Sequence, residues 1–160
     1  MSKFGLKVAK LHGLKMKGFK NISEAEEFFS SFRDLLIDKF SEICYKNGFN
    51  SFDYSVESLK DLEKLYFELF DENKFSTIGL SREEFEQCMG LYFGEVVIRN
   101  NKDAKYVVNE FPFVPGKYDL YINKGLAHIA IVEFCKEWYA RTGNKRRTLL
   151  FREYNKYFKG

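Results

Sequence analysis

The chain has 160 residues, of which 45% are hydrophobic and 31% charged, and its formal net charge is +3. This length supports one domain with a buried core, and this composition excludes a chain that is disordered throughout. No apolar run approaches the roughly 18 residues that span a bilayer, and the first residues lack the apolar stretch of a secretory signal. Cys44, Cys88 and Cys135 lie far apart, which favours reduced thiols. We therefore expect a single domain over residues 1–160, in the cytoplasm and without a membrane partner.

Charge is sorted along the sequence. Residues 1–20 contain six lysines and no acidic residue, and residues 141–160 contain seven basic residues and one acidic residue. The middle of the chain carries the remaining 13 basic and 22 acidic residues. Such sorting indicates oriented contacts, either between the two ends and the body of the chain or with a charged partner.

Residues 1–20 are predicted to form a basic N-terminal arm or one or two short edge strands. Gly5, Gly13 and Gly18 each weaken a helix in this segment. Apolar residues alternate loosely with lysines, as they do in short strands at the edge of a sheet.

Two amphipathic helices are predicted next. The first opens with a capping box of Ser23 and Glu26, continues with a long apolar stripe, and ends at Gly48, where glycine tolerates the left-handed conformation. The second occupies about residues 55–73, and its outward face is predicted to include Glu63 among other charged residues.

A third helix opens with a capping box of Ser81 and Glu84 and reaches about Asn100. Beyond it the apolar period changes from helical to alternating. The alternation runs over residues 106–109 and again over residues 117–122, with a proline-containing turn between them, so an antiparallel strand pair is predicted.

Two further helices complete the prediction. Residues 126–141 are apolar around most of the helix girth, which is typical of a central helix, and residues 145–158 form a basic helix with one aromatic face. The predicted fold class is α+β, in which about five helices pack with a small antiparallel β-sheet. Most of the chain is predicted to be helical.

Two glycines in the third helix are its most specific local feature. Gly90 and Gly94 each cost about 1 kcal/mol relative to alanine in a helix interior. Close approach of another helix or the sheet is the favoured explanation, because no Cβ stands in the way. The alternative is a groove left open by the small residues, with Glu95 and Arg99 as an i,i+4 pair beside it. We predict Glu95 and Arg99, together with Tyr121, as partner-binding residues.

This stretch carries a resemblance to other proteins. A helix reading Tyr-x-Gly-Glu-Val is followed by a polar turn, an aromatic strand and a Phe-Pro-Phe segment, over about Ser81 to Ile122. The pattern resembles a group of small uncharacterised bacterial proteins, some of which look like immunity proteins that neutralise a partner toxin. The resemblance implies a protein-binding role and transfers no catalytic residue.

Metal and nucleophile chemistry find little support. His12 and His128 are the only histidines, and His128 with Cys135 would share a face of the predicted fourth helix. A zinc site needs three or four ligands, usually in close pairs, and cysteines on apolar helix faces are usually inert. Phosphate-loop, nucleophile-elbow and zinc-protease motifs are missing from the sequence. We therefore predict no metal, no cofactor and no enzymatic activity.

The basic C-terminal helix suggests the alternative function, nucleic-acid binding. Its candidate phosphate contacts are Arg146, Arg147, Arg152 and Lys156, and Tyr154 or Tyr157 could stack on a base. Another interpretation is that this basic segment docks on the acidic body of the same chain. The first prediction is a non-enzymatic cytosolic protein that binds another protein, with a toxin as the candidate partner of an immunity protein, and nucleic-acid binding is the alternative.

Overall fold

The computed structural model describes residues 2–143 and 148–159. The helices are α1 (Lys3–Lys15), α2 (Ile22–Asn47), α3 (Ser58–Asp71), α4 (Arg82–Asn100), α5 (Trp138–Thr142) and α6 (Leu149–Tyr157), and the strands are β1 (Lys105–Glu110), β2 (Tyr118–Lys124) and β3 (Ala127–Ala130). A single 3-10 turn over Phe75–Ile78 connects α3 to α4. Helices make up more than half of the chain, so the predicted mostly helical α+β class is confirmed.

Helix α4 lies at the centre of the structure. The predicted N-cap is present, because the Ser81 hydroxyl accepts a hydrogen bond from the Glu84 amide at 3.1 Å. Eleven of the 19 residues of α4 are buried, including polar Glu86. Helices α2 and α3 pack on it, and their apolar faces supply much of the remaining core. The central helix is therefore the third one predicted and not the fourth.

Helix α2 ends where the sequence predicts. Gly48 adopts φ 70° and its amide donates to the last turn, which satisfies carbonyls that would otherwise lack partners. Its beginning differs by two residues, because Asn21 is the N-cap and its Oδ1 accepts from the Glu24 amide at 2.9 Å. Ser23 thus lies inside the first turn of the helix.

Glu63 on α3 does not face outward as predicted. Its side chain is fully buried, and its two carboxylate oxygens accept hydrogen bonds from the amides of Leu149 at 3.2 Å and Leu150 at 2.8 Å. These amides open α6, where the helix dipole and unpaired N–H groups favour a negative charge. A carboxylate on α3 therefore fixes the start of the C-terminal helix.

The sheet has three antiparallel strands in the order β1-β2-β3. The predicted pair is confirmed as β1 and β2, with Val108 opposite Leu120. Residues 127–130, which were predicted to begin a fourth helix, instead form β3 after a two-residue turn at Gly125 (φ 58°). An apolar run of this length is compatible with a buried helix or with a strand. It forms a strand here because β2 offers an edge whose N–H and C=O groups need partners. Only residues 138–142 of the predicted helix are helical.

The N-terminal segment is helical, so the predicted edge strands are wrong. The Ser2 hydroxyl caps α1 by accepting from the Gly5 amide at 3.0 Å. At Gly13 a Cβ would lie 2.6 Å from Val114 Cγ2 and 2.7 Å from Phe111 Cε1, so this glycine allows α1 to approach the β1–β2 loop. Strand-like pairing is limited to one bridge between Gly18 and Lys117. Among the described residues, no helix is long and apolar enough to cross a membrane.

Candidate protein-binding site

The two glycines of α4 lie against the segment that follows β3. A Cβ on Gly90 would lie 2.1 Å from the carbonyl oxygen of Ile131, and one on Gly94 would lie 2.7 Å from Ile131 Cδ1. Both distances are shorter than any ordinary contact of a Cβ atom. The packing interpretation of the glycines is therefore confirmed, and the small residues do not leave an open groove.

Glu95 is held by two neighbours. Its Oε2 accepts a short hydrogen bond from the Tyr106 hydroxyl, and its Oε1 accepts one from Arg99 Nη2 at 3.4 Å. The Glu95 side chain is only 17% exposed, whereas that of Arg99 is 51% exposed. Burial, followed by the hydrogen bond and the charge of Glu95, raises the pKa of Tyr106 well above its usual range. The tyrosine therefore stays neutral, and its hydroxyl donates a hydrogen bond to the carboxylate.

Two arginines lie over tyrosine rings around this carboxylate. The Arg33 guanidinium on α2 lies 4.3 Å from the centre of the Tyr106 ring, and that of Arg99 lies 3.7 Å from the centre of the Tyr54 ring. These distances suit cation–π contacts. We name the five residues Arg33, Tyr54, Glu95, Arg99 and Tyr106 the arginine–tyrosine patch.

Tyr54 is fixed in position by its own backbone. It adopts a left-handed conformation with φ 62°. Its amide donates to the Tyr92 hydroxyl at 3.0 Å, and its carbonyl accepts from Asn100 Nδ2 at 2.9 Å. The rings of Tyr54 and Tyr92 are stacked with centres 4.8 Å apart. The left-handed conformation costs energy in a residue other than glycine, and here the hydrogen bonds at the amide and the carbonyl of Tyr54 stabilise it. This conformation places the Tyr54 ring under Arg99.

Tyr121 is not part of this patch. It pairs with Val107, the neighbour of Tyr106, and successive residues of a strand point to opposite faces of the sheet. Its side chain therefore lies on the face away from Glu95, where its ring stacks on His128 with centres 4.1 Å apart. Of the three predicted partner-binding residues, the structure brings Glu95 and Arg99 together and places Tyr121 elsewhere.

The alternative nucleic-acid site is only partly described. Arg152 and Lys156 are exposed on α6, whereas Arg146 and Arg147 lie outside the described residues. Tyr154 cannot stack on a base, because it is 5% exposed and its hydroxyl accepts from Asn101 Nδ2 at 3.0 Å. Tyr157 is 41% exposed, and the Lys156 ammonium lies 4.9 Å from the centre of its ring. Helix α6 docks on the body of the chain through two backbone amides on Glu63, while Arg152 and Lys156 stay exposed, so this contact does not use the basic side chains.

The cysteines and histidines do not converge. His128 is exposed on β3, while Cys135 is buried in the turn before α5, so the shared helix face predicted for them does not exist. Burial raises the pKa of the Cys44 and Cys88 thiols to about 12. In the part of the chain that the structure describes, no three histidine, cysteine or acidic residues are placed to hold a metal ion.

Sequence reasoning missed Arg33, Tyr54 and Tyr106 as members of the site. The alternating pattern predicts Tyr106 as a strand residue and nothing more. The sequence also gives no link between Arg33 on a helix and Tyr54 in a loop. Arg33 follows Phe32 on a helix whose sequence pattern predicts only an apolar face. Nothing local marks Tyr54, which lies in a loop that also contains Phe49 and Phe52.

The fold and the patch together define a mostly helical α+β protein with an ordered arginine and tyrosine surface. The chain belongs to the family described as "Uncharacterised protein YwmA", which it matches over residues 18–158. It is similar to "Uncharacterized protein YwmA" of Bacillus subtilis (strain 168), with 31% identity over 141 residues that cover 88% of each chain. The predicted likeness to small uncharacterised bacterial proteins is thereby confirmed. No solved structure matches.

Proposed function

We propose that this protein binds another protein through the arginine–tyrosine patch and catalyses no reaction. The observation that carries the proposal is the pair of guanidinium groups of Arg33 and Arg99, each held over a tyrosine ring on either side of Glu95. Arginine and tyrosine are enriched among the residues that contribute most to binding at protein interfaces. Charged side chains on a surface are usually mobile, so their ordering here calls for an explanation.

Pre-ordering favours binding. A flexible arginine loses rotamer freedom when it is fixed in a complex, at a cost of about 0.5 to 1.5 kcal/mol per side chain. Stacking on Tyr54 and the hydrogen bond to Glu95 restrict Arg99 before any partner arrives. Half of the Arg99 side chain remains exposed, so its guanidinium can still donate to a carboxylate of the partner. The expected partner surface therefore carries an acidic side chain opposite Arg99.

The environment of Glu95 supports binding over catalysis. A general base must reach the substrate, whereas the Glu95 side chain is only 17% exposed and both of its oxygens face Tyr106 and Arg99. Within the patch, no serine, cysteine or histidine stands ready as a nucleophile or a proton relay. The carboxylate instead orients the two residues that bond to it.

The biological role that we propose is that of an immunity protein, which neutralises a toxin by covering its functional surface. Support comes from the resemblance of residues 81–122 to immunity-like proteins and from the sorted charge of the chain. Complementary charges speed the encounter of such pairs and select the partner. A toxin encoded beside this gene is the expected ligand.

Binding to the purified product of the neighbouring gene tests the proposal by calorimetry. Replacement of Arg99 by Ala should weaken binding by about 2 kcal/mol, or roughly 30-fold, as at other interface arginines. Tyr106→Phe keeps the ring under Arg33 and removes the hydroxyl, so a smaller loss is expected. Arg152→Ala is the matched control, because it removes an exposed arginine from α6. Equal affinities for wild type and Arg99→Ala would refute the patch as the binding surface.

Nucleic-acid binding is the second candidate, favoured by the exposure of Arg152, Lys156 and Tyr157 on α6. It predicts affinity for generic DNA or RNA that falls steeply with salt. Arg152→Ala with Lys156→Ala should then reduce a gel shift at low salt, whereas Arg99→Ala should leave it unchanged. Arg99→Ala should thus affect protein binding only, and Arg152→Ala with Lys156→Ala should affect nucleic-acid binding only, so the two variants distinguish the two candidate functions.

A further inference from the structure

Helix α1 presents an apolar stripe to solvent. Its members are separated by four, three and three residues, which places them on one side of a helix. Their exposed fractions are 77% for Phe4, 48% for Val8, 52% for Leu11 and 64% for Leu14. Exposure of one apolar residue is ordinary, but four in a continuous row mark a surface that another body covers.

The opposite side of α1 is packed near the C-terminal end of the helix. Gly13 is buried against Phe111 and Val114, and the His12 ring makes an edge contact with Phe111 at a centroid distance of 5.8 Å. The Ser2 cap satisfies the N-terminal end of the helix. Helix α1 is thus held around Gly13, and these contacts do not involve the outward stripe.

Basic residues flank the stripe. The exposed lysines of the helix are Lys3, Lys7, Lys10 and Lys15, and residues 1–20 contain no acidic residue. Long lysine side chains extend their charged ends away from an apolar region toward water or phosphate while their stems stay in contact with it. A basic helix with an apolar stripe is typical of segments that lie in the interface of an anionic membrane.

We infer that α1 is a peripheral attachment site for an anionic lipid surface, with the stripe buried at the boundary of headgroups and acyl chains. A protein groove would also receive one apolar helix face, but the lysines beside this stripe complement an anionic surface. A lipid surface requires only the one convex side that is free. This peripheral contact differs from a membrane-spanning helix, and it is a proposal that departs from the expectation of no membrane partner. It lies outside the arginine–tyrosine patch and outside the matched family segment, which begins at residue 18.

Sedimentation with vesicles tests the inference. The purified protein is mixed at low salt with vesicles of phosphatidylcholine alone or of equal parts phosphatidylcholine and phosphatidylglycerol. Wild type should pellet with the anionic vesicles and at least roughly 10-fold less with the neutral ones, because each lysine near an anionic surface adds to the attraction. Added salt should release it.

Two double variants separate the charge from the apolar stripe. Lys7→Gln with Lys10→Gln should weaken binding to anionic vesicles by roughly 10-fold or more, and Phe4→Ser with Leu11→Ser by a similar factor, since binding scales with buried apolar area and charge. The controls change matched residues on other elements: Lys64→Gln with Lys136→Gln for charge, and Leu35→Ser, 66% exposed in wild type, for the apolar stripe. Both should bind as wild type does.

Three results would overturn the inference. These are failure of wild type to pellet with anionic vesicles, equal binding to neutral vesicles, and an equal loss of binding in the control variants. If vesicle binding is absent and wild type instead forms a dimer by light scattering that Phe4→Ser with Leu11→Ser abolishes, the stripe is a self-association surface. Circular dichroism of each variant checks that the fold is retained, so a loss of binding reports on the stripe itself.

Discussion

Replacement of Gly90 by alanine is the sharpest test of how α4 packs. Alanine gains about 1 kcal/mol of helix propensity over glycine. Its Cβ, however, would lie 2.1 Å from the Ile131 carbonyl oxygen, which is a backbone atom and cannot rotate away. The segment after β3 must therefore move by more than about 1 Å, and overpacking of this kind costs about 1 to 3 kcal/mol or more. We expect a net loss of about 2 kcal/mol.

The matched variant is Gly94→Ala. Its Cβ would lie 2.7 Å from Ile131 Cδ1, the end of a side chain that can change rotamer, so the gain in helix propensity and the clash should nearly cancel. Gly94→Val adds two methyl groups and should destabilise. Thermal unfolding measures all three, and 2 kcal/mol corresponds to a fall in Tm of about 4 to 8 °C for a chain of this size. A stabilised Gly90→Ala would show that the close contact with Ile131 does not exist.

Three further predictions use other features of the fold. Glu63→Gln should lower the free energy of unfolding, measured by urea titration, by about 1 to 3 kcal/mol, because one of the two N-terminal amides of α6 loses its acceptor. The control is exposed Glu57→Gln, which should change the free energy of unfolding little. Burial raises the pKa of Asp119 to about 6, so the folded state holds this proton more tightly and stability falls as pH rises from about 4 to 6. Asp119→Asn keeps an acceptor for the Leu120 amide, and it should therefore stabilise the protein at pH 7.5 by on the order of 1 kcal/mol but not at pH 4. The native thiols should resist a disulfide reagent until denaturant is added, and rapid labelling would contradict their burial; these are Cys44, Cys88 and Cys135.

The sequence by itself determined the helices that carry local signals. A serine cap at Ser81, a glycine end at Gly48 and a sustained apolar period place α2, α3 and α4 to within two or three residues, because capping and periodicity act within a few positions of the chain. The β1–β2 pair followed from the change of period for the same reason. The two glycines of α4 also predict a close contact, because their unfavourable helix propensity must be offset by packing against another element.

Only the tertiary structure decided the features that depend on distant partners. Residues 127–130 join the sheet because the second edge of β2 is free to pair, and the helix over residues 3–15 can approach the β1–β2 loop because Gly13 has no Cβ. Glu63 is buried because its partners are amides more than 80 positions away in the chain. The arginine–tyrosine patch likewise joins a helix, a loop and a strand. Such contacts leave no local pattern, because each residue meets its partner only after the chain has folded.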